Sequence, residues 1–144
     1  MERKTNMQSI IEDFTSHDIR LTPQRINVYR YLLKHACHPT VDAVYNALKK
    51  DNPSLSKTTI YNITDVLTEA GLIKVLHIND GDVRLDADIS NHAHFYCKRC
   101  DEILDIHMDD IMIPEALSGY QFDDLDVSAS GICASCLQRE ASKT

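Results

Sequence analysis

The stretch Ser56–Asp86, SKTTIYNITDVLTEAGLIKVLHINDGDVRLD, decides the fold. Ile60, Ile63, Val66 and Leu67 recur at helical spacing and predict one buried stripe. Lys57, Thr58, Tyr61, Asn62, Asp65 and Thr68 fall on the opposite side. Ser56 is an N-cap residue type, and Gly71 is the residue type that stops a helix, so the helix is expected to run to Ala70. Past Gly71 the period changes from helical to extended. Leu72–Ile78 and Val83–Asp86 flank Asn79-Asp80-Gly81-Asp82, whose Asp-Gly chemistry predicts a hairpin turn.

Working upstream, three more helices are expected. The first covers Asn6–Thr15, with Met7, Ile10, Ile11 and Phe14 as its apolar stripe, and ends at the polar break Ser16-His17-Asp18. Thr22-Pro23 opens the second, a cap followed by a proline at the first helical position. Its inward residues are Ile26, Tyr29, Leu32 and Leu33, and it ends before His35-Ala36-Cys37-His38-Pro39. Thr40 caps the third, with Val41, Val44, Tyr45 and Leu48 inward. Helices followed by a two-stranded hairpin are the layout of a winged helix-turn-helix, in which the fourth helix is the recognition helix.

Downstream the pattern is α/β. Strands are expected at His94–Cys97, Ile103–His107 and Phe122–Val127, with a short one near Ala129–Ile132. A short helix is expected around Pro114–Leu117 and a last one from Gln138. The predicted class is α+β: a winged-helix domain over 1–86, a hinge over 87–93 and a small α/β domain over 94–144.

At 43% hydrophobic and 26% charged residues the composition is that of an ordinary globular protein, with no stretch able to span a bilayer. The N-terminus has no signal-peptide-like apolar run, so the cytoplasm is expected. In that reducing compartment five cysteines in two Cys-x-x-Cys pairs plus one point to metal rather than disulfides. The net charge of −7 at first argues against a nucleic-acid partner, but its distribution does not. Residues 1–80 sum to +1 and residues 81–144 to −8, so the acidity lies in the metal-rich half and the first half can carry a basic face.

Cys97, Cys100, Cys133 and Cys136 form two Cys-x-x-Cys turns separated by 32 residues. That spacing supplies four thiolates and leaves no open position, the pattern of a structural zinc site. The competing reading, a pair of redox dithiols, fits less well, because such a dithiol normally occurs once. Cys37 is left over and reads as a small buried hydrophobe.

A second, nitrogen/oxygen donor set is interleaved with the first. His92 and His94 face one side of an extended strand. Neutral imidazole and carboxylate suit Mn, Fe, Co or Zn. Asp86 and Asp105 are the nearest carboxylates, Asp88 competes with Asp86, and His107 shares the Asp105 side of its strand. His17, His35 and His77 read as solvated surface residues. His38 lies far off in sequence, and a site including it would join both halves, so that metal would set the angle between them.

These residues together resemble the ferric uptake regulator (Fur) family of bacterial metal-dependent repressors, along nearly the whole chain. The resemblance is carried by Leu21-Thr22-Pro23-Gln24-Arg25, His38-Pro39-Thr40, Thr59-Ile60-Tyr61-Asn62, His92-Ala93-His94, Cys97-x-x-Cys100, Asp105 and Cys133-x-x-Cys136. It implies a homodimer that binds a double-stranded DNA operator when a regulatory metal closes it. It also implies regulatory ligands His38, Asp86, His92, His94 and Asp105, holding Fe(2+) or Mn(2+), beside a structural Zn(2+) on the four cysteines. Asp at position 105 is similar to the peroxide-sensing PerR branch, in which Fe(II) reacts with hydrogen peroxide and a ligand histidine is oxidised; His38 and His92 are the candidates. Two departures stand out. Gln121–Gly131 lacks the histidine that many relatives use for a further metal site, and the recognition helix carries Asp65 on its exposed face.

The expected function is therefore a metal-dependent repressor controlling oxidative-stress or metal-homeostasis genes, and not an enzyme. Arg25 and Lys57 would contact phosphate, and Thr58, Tyr61 and Asn62 would read bases. Three alternatives compete. One is an iron, manganese or zinc sensor without peroxide chemistry. Another is a hydrolytic metal site, for which no general base or oxyanion donor set is evident. The third is a zinc-stabilised dimeric interaction module with weak or no DNA binding.

Overall fold

The computed structural model describes residues 5–79, 82–90, 92–107, 112–123 and 125–143. The chain divides into two compact units, Met1–Ile89 and Ser90–Thr144. The division falls inside the expected hinge of residues 87–93, although His92 and Ala93 belong to a strand rather than to a connector.

The first unit contains α1 (Met7–Ser16), α2 (Pro23–Lys34), α3 (Val41–Leu48), α4 (Lys57–Glu69), β1 (Lys74–Asn79) and β2 (Asp82–Asp86). Each helix starts on the cap its sequence supplies. Asn6, Thr22, Thr40 and Ser56 accept the backbone N–H three residues on, at 2.8, 3.3, 3.1 and 3.1 Å. Such caps contribute about 1 kcal/mol each. Helix α4 ends in a Schellman arrangement: Gly71 N–H donates to Thr68 O at 3.0 Å and Leu72 N–H to Leu67 O at 2.9 Å. Gly71 has φ +76°, a conformation that costs a residue with a Cβ, and the buried Leu72 then directs the chain into the hairpin.

The core of this unit is continuous. Ile10 and Phe14 of α1, Val28, Tyr29 and Leu32 of α2, Val44 of α3, Ile60 and Leu67 of α4, and Leu72, Ile73 and Leu85 are all buried in it. The Phe14 and Tyr29 rings lie 5.4 Å apart, and the Tyr29 hydroxyl donates to Asp13 Oδ2 at 2.7 Å. Helix α4 turns slightly from its expected orientation: Thr64 is buried and Val66 only partly so. The Thr64 hydroxyl donates to Tyr61 O at 3.0 Å, which satisfies its polar group inside. Strands β1 and β2 pair antiparallel, from Lys74 opposite Asp86 to Asn79 opposite Asp82. The expected turn residues Asp80 and Gly81 lie outside the described residues.

The second unit is a three-stranded sheet ordered β4-β3-β5, from β3 (His92–Cys97), β4 (Ile103–His107) and β5 (Ser128–Gly131). Strand β3 pairs antiparallel with β4 and parallel with β5. A 3₁₀ turn covers Glu115–Leu117, and α5 (Ala134–Ala141) follows β5. The strand expected at Phe122–Val127 is not formed among its described residues, whereas the short one expected near Ala129–Ile132 is, as Ser128–Gly131. Gly131 lies against the Phe95 ring, 3.7 Å from where a Cβ would sit, an ordinary packing distance. The last helix begins at Ala134, four residues before the expected start, because Cys133 caps it: its Sγ accepts Cys136 N–H at 3.4 Å. No helix among the described residues is long and apolar enough to cross a membrane.

Candidate metal centres and an exposed helix face

The four cysteines converge. Cys97 ends β3, Cys100 follows in the turn, Cys133 caps α5 and Cys136 lies in its first turn. Their sulfurs all lie within 4.8 Å of one another. Cys97 and Cys136 are 3.9 Å apart, and Cys100 and Cys133 are 3.8 Å apart. A tetrahedron with metal–sulfur bonds of about 2.3 Å has edges of about 3.8 Å, so the cluster fits a tetrahedral divalent metal. The same separations are far beyond a disulfide bond of about 2.05 Å.

Backbone donors prepare the site for negative sulfur. The Cys100 and Cys133 N–H groups, the latter 3.3 Å from Cys97 Sγ, hold the Cys97 thiol down at about 6. Burial, with the Cys133 thiol next, pushes Cys136 up to about 12. A divalent cation bound between the four sulfurs would favour the thiolate form of each. Arg139 adds positive charge, its Nη2 donating toward Cys136 Sγ at 3.9 Å, and Arg99 is ion-paired with Glu140. These two arginines carry no sequence signal of their role.

The nitrogen/oxygen donors fall into two sets, one in each unit. In the first, His38 Nε2 lies 3.4 Å from Asp86 Oδ2, and both side chains are 4% exposed. The sequence holds this pair in three ways. Leu85 N–H donates to Pro39 O at 2.9 Å, and Arg84 Nη1 donates to His38 O at 3.4 Å, tying the α2–α3 loop to β2. Asp88 N–H donates to Asp86 Oδ1 at 2.9 Å, which aims Oδ2 at His38. His38 itself adopts φ +54°, an uncommon left-handed conformation that turns its ring inward. That reversal also overturns the expectation for Cys37, which is exposed rather than buried. Asp88, the competing carboxylate, is exposed, as are His17, His35 and His77; the His35 ring stacks 4.3 Å from that of Tyr31.

In the second unit, strand alternation puts His92 and His94 on one face of β3, with ring centroids 4.4 Å apart. Register places Asp105 opposite His94. Asp105 Oδ1 lies 3.3 Å from His94 Nε2 and 3.6 Å from His92 Nε2. His92 Nδ1 is 2.7 Å from Ser90 O, a contact made when Nδ1 carries the proton and Nε2 keeps its lone pair, the form in which a histidine binds metal. Ser90 was not visible as part of this arrangement from sequence. His107 is exposed and pairs in register with His92.

Helix α4 presents Lys57, Thr58, Tyr61, Asn62 and Asp65 to solvent, with Tyr61 52% exposed. Lys57 Nζ is 3.1 Å from Asp42 Oδ1 and 5.6 Å from the Tyr45 ring centroid. Arg25 is half-buried, its Nη1 donating to Arg20 O at 3.1 Å.

A helical unit ending in a hairpin, joined to a small mixed sheet with clustered metal-type ligands, defines an α+β protein built to hold metal. The sequence profile of the Ferric uptake regulator family matches residues 16–128, and the chain belongs to that family. Among its relatives, the peroxide operon regulator of Bacillus subtilis (strain 168) is 31% identical over 138 residues, covering 93% of this chain and 95% of its own length. The peroxide-responsive repressor PerR of Staphylococcus aureus (strain Mu50) is 34% identical over 135 residues, covering 90% of each. Among solved structures, PerR from Streptococcus pyogenes is 30% identical with a TM-score of 0.52, covering 88% of this chain and 90% of that one. Fur from Helicobacter pylori has the same fold, with a TM-score of 0.74 at 18% identity and coverage of 95% and 97%.

Proposed function

We propose that this Fur-family chain is a metal-dependent, DNA-binding transcriptional repressor of the peroxide-responsive type, working as a homodimer in the cytoplasm. Its first unit is a winged helix: α4 enters the major groove and the β1–β2 hairpin is the wing. Zinc held by Cys97, Cys100, Cys133 and Cys136 fixes the second unit. His38 and Asp86 join His92, His94 and Asp105 on one regulatory ion, Fe(II) or Mn(II). The observation that carries this reading is the separation of two donor sets by chemistry: four sulfurs within 4.8 Å of one another, and histidine Nε2 atoms already aimed at carboxylates.

The division of labour follows from the donors. A closed four-thiolate site has no open position and serves structure. Imidazole and carboxylate ligands suit exchangeable iron or manganese. Bound Fe(II) supplies the electrons that reduce hydrogen peroxide. The chain's own residues do the rest. Asp86, fixed by Asp88 N–H, orients His38, and Ser90 O orients His92, so both rings are held in place. Sharing one ion between ligands of both units couples its presence to their mutual orientation, and so to operator binding. Oxidation of His38 or His92 removes a ligand and releases DNA.

The chain is tested by its binding to fragments of its own genome with Mn(II) and with a chelator. Metal-dependent retention of discrete fragments, lost in His94→Ala while the zinc content stays at one per chain, is the expected result. Equal retention with and without Mn(II) overturns the sensor, and no retention in either condition favours the interaction module.

A further inference from the structure

We propose that Asp65 is a specificity-determining residue that selects a cytosine in each operator half-site by accepting a hydrogen bond from the base's N4 amino group. The inference rests on the reading of α4 as the recognition helix, and its test separates the two.

Asp65 stands on the same exposed stripe as Thr58, Tyr61 and Asn62. It is seven residues past Thr58, two helical turns or about 10.5 Å along the axis. That distance spans roughly three base-pair steps of 3.4 Å. A helix lying in the groove with Thr58 over one base pair therefore brings Asp65 over another about three steps away. Among the described residues Asp65 makes no hydrogen bond or ion pair that would hold it away from a ligand.

Asp65 does nothing for the helix that bears it. It lies mid-helix, away from the N-terminal turn that favours negative charge, and Glu69 follows at i+4 with the same sign. Lys57 is the lone cation of α4, and it is engaged with Asp42. Against DNA an unmatched carboxylate is a liability, since it is repelled by phosphates. A residue that breaks the local rules for both helix and polyanion binding without structural compensation marks a functional position.

Base chemistry then narrows the partner. A carboxylate only accepts hydrogen bonds. In the major groove guanine offers acceptors at N7 and O6, and thymine offers O4 and a methyl group. Adenine offers its N6 donor beside the N7 acceptor, while cytosine offers the N4 donor alone. Cytosine is thus the base that a carboxylate satisfies without meeting an acceptor on the same edge.

The test is selection from a randomised duplex library by the full Mn(II)-loaded chain, in parent, Asp65→Ala and Asp65→Asn forms. The exposed position leaves folding intact, which zinc content and helicity verify. The parent should enrich a site with one cytosine at a fixed place in each half. Asp65→Ala should lose discrimination there by roughly 5- to 100-fold, with other positions unchanged. Asp65→Asn should move the preference to adenine, the base an asparagine pairs through N6 and N7. The proposal is overturned if all three enrich the same motif, or if Asp65→Ala binds every sequence tighter without a change of motif. If the parent enriches no motif, the recognition-helix reading itself fails.

Discussion

Replacing Cys136 by serine should unfold the second unit and leave the first standing. Among the described residues the second unit buries four apolar side chains, Ala93, Tyr96, Cys97 and Cys136, and two of these are thiolate candidates. The first unit buries sixteen. Burying a large apolar side chain contributes roughly 1.5–3 kcal/mol. A structural zinc contributes on the order of 10–16 kcal/mol in small metal-dependent folds. A zinc held there would therefore outweigh the apolar core of this unit several-fold, while the first unit has a larger core of its own. Cys136 sits 3.9 Å from Cys97 and in the first turn of α5, so its loss opens the tetrahedron and frees the terminal helix. Zinc per chain, measured by elemental analysis, should fall from one to near zero. Hydrogen exchange should then lose protection in peptides covering 92–107 and 128–141, and keep it in α2 and α4. Retained zinc, or lost zinc with protection unchanged in the second unit, would refute the reasoning.

Four further outcomes follow from single residues. Gly71→Ala meets no atom within 4 Å and suffers only from φ +76°, so urea denaturation should show the first unit destabilised by about 1–2 kcal/mol, with zinc and metal binding unchanged. Lys57→Ala loses an ion pair with Asp42 whose partners are 51% and 64% exposed, so stability should hardly move; fluorescence anisotropy should show weaker binding on every DNA sequence and a salt slope shallower by about one. Tyr61→Ala, by contrast, should blur sequence preference. Asp105→Ala removes the carboxylate lying between His92 and His94, and Mn(II) affinity followed by EPR should fall by at least about 100-fold while zinc remains bound.

Much of this was legible in the sequence because it rests on local chemistry. Capping residues and the Gly71 stop act within four residues of themselves, so Thr22, Thr40 and Ser56 could be read directly, while Asn6, placed inside the first helix, is its cap. Strand alternation likewise put His92 and His94 on one face. Where the reading failed, tertiary neighbours decided. The expected strand at Phe122–Val127 reaches β3 through Val127 O, which accepts His94 N–H at 3.1 Å, and the paired register runs from Ser128 to Gly131. Cys37, expected to be buried, is exposed next to the left-handed His38, and nothing in a histidine's identity announces φ +54°. The orienting contacts of Ser90 O on His92 and of Asp88 N–H on Asp86 are backbone groups, invisible to any search for ligand side chains. Resemblance to the family, rather than spacing, was what joined His38 to the other ligands.

The central claim is tested most directly by loading the zinc-bound chain with Fe(II), adding hydrogen peroxide and mapping the peptides that hold His38 and His92 by mass spectrometry. The account predicts an added oxygen on one of these histidines, absent when Mn(II) replaces Fe(II), together with loss of DNA binding. Unmodified histidines and intact cysteines, with DNA binding retained, would contradict it and leave a metal-responsive repressor without peroxide chemistry.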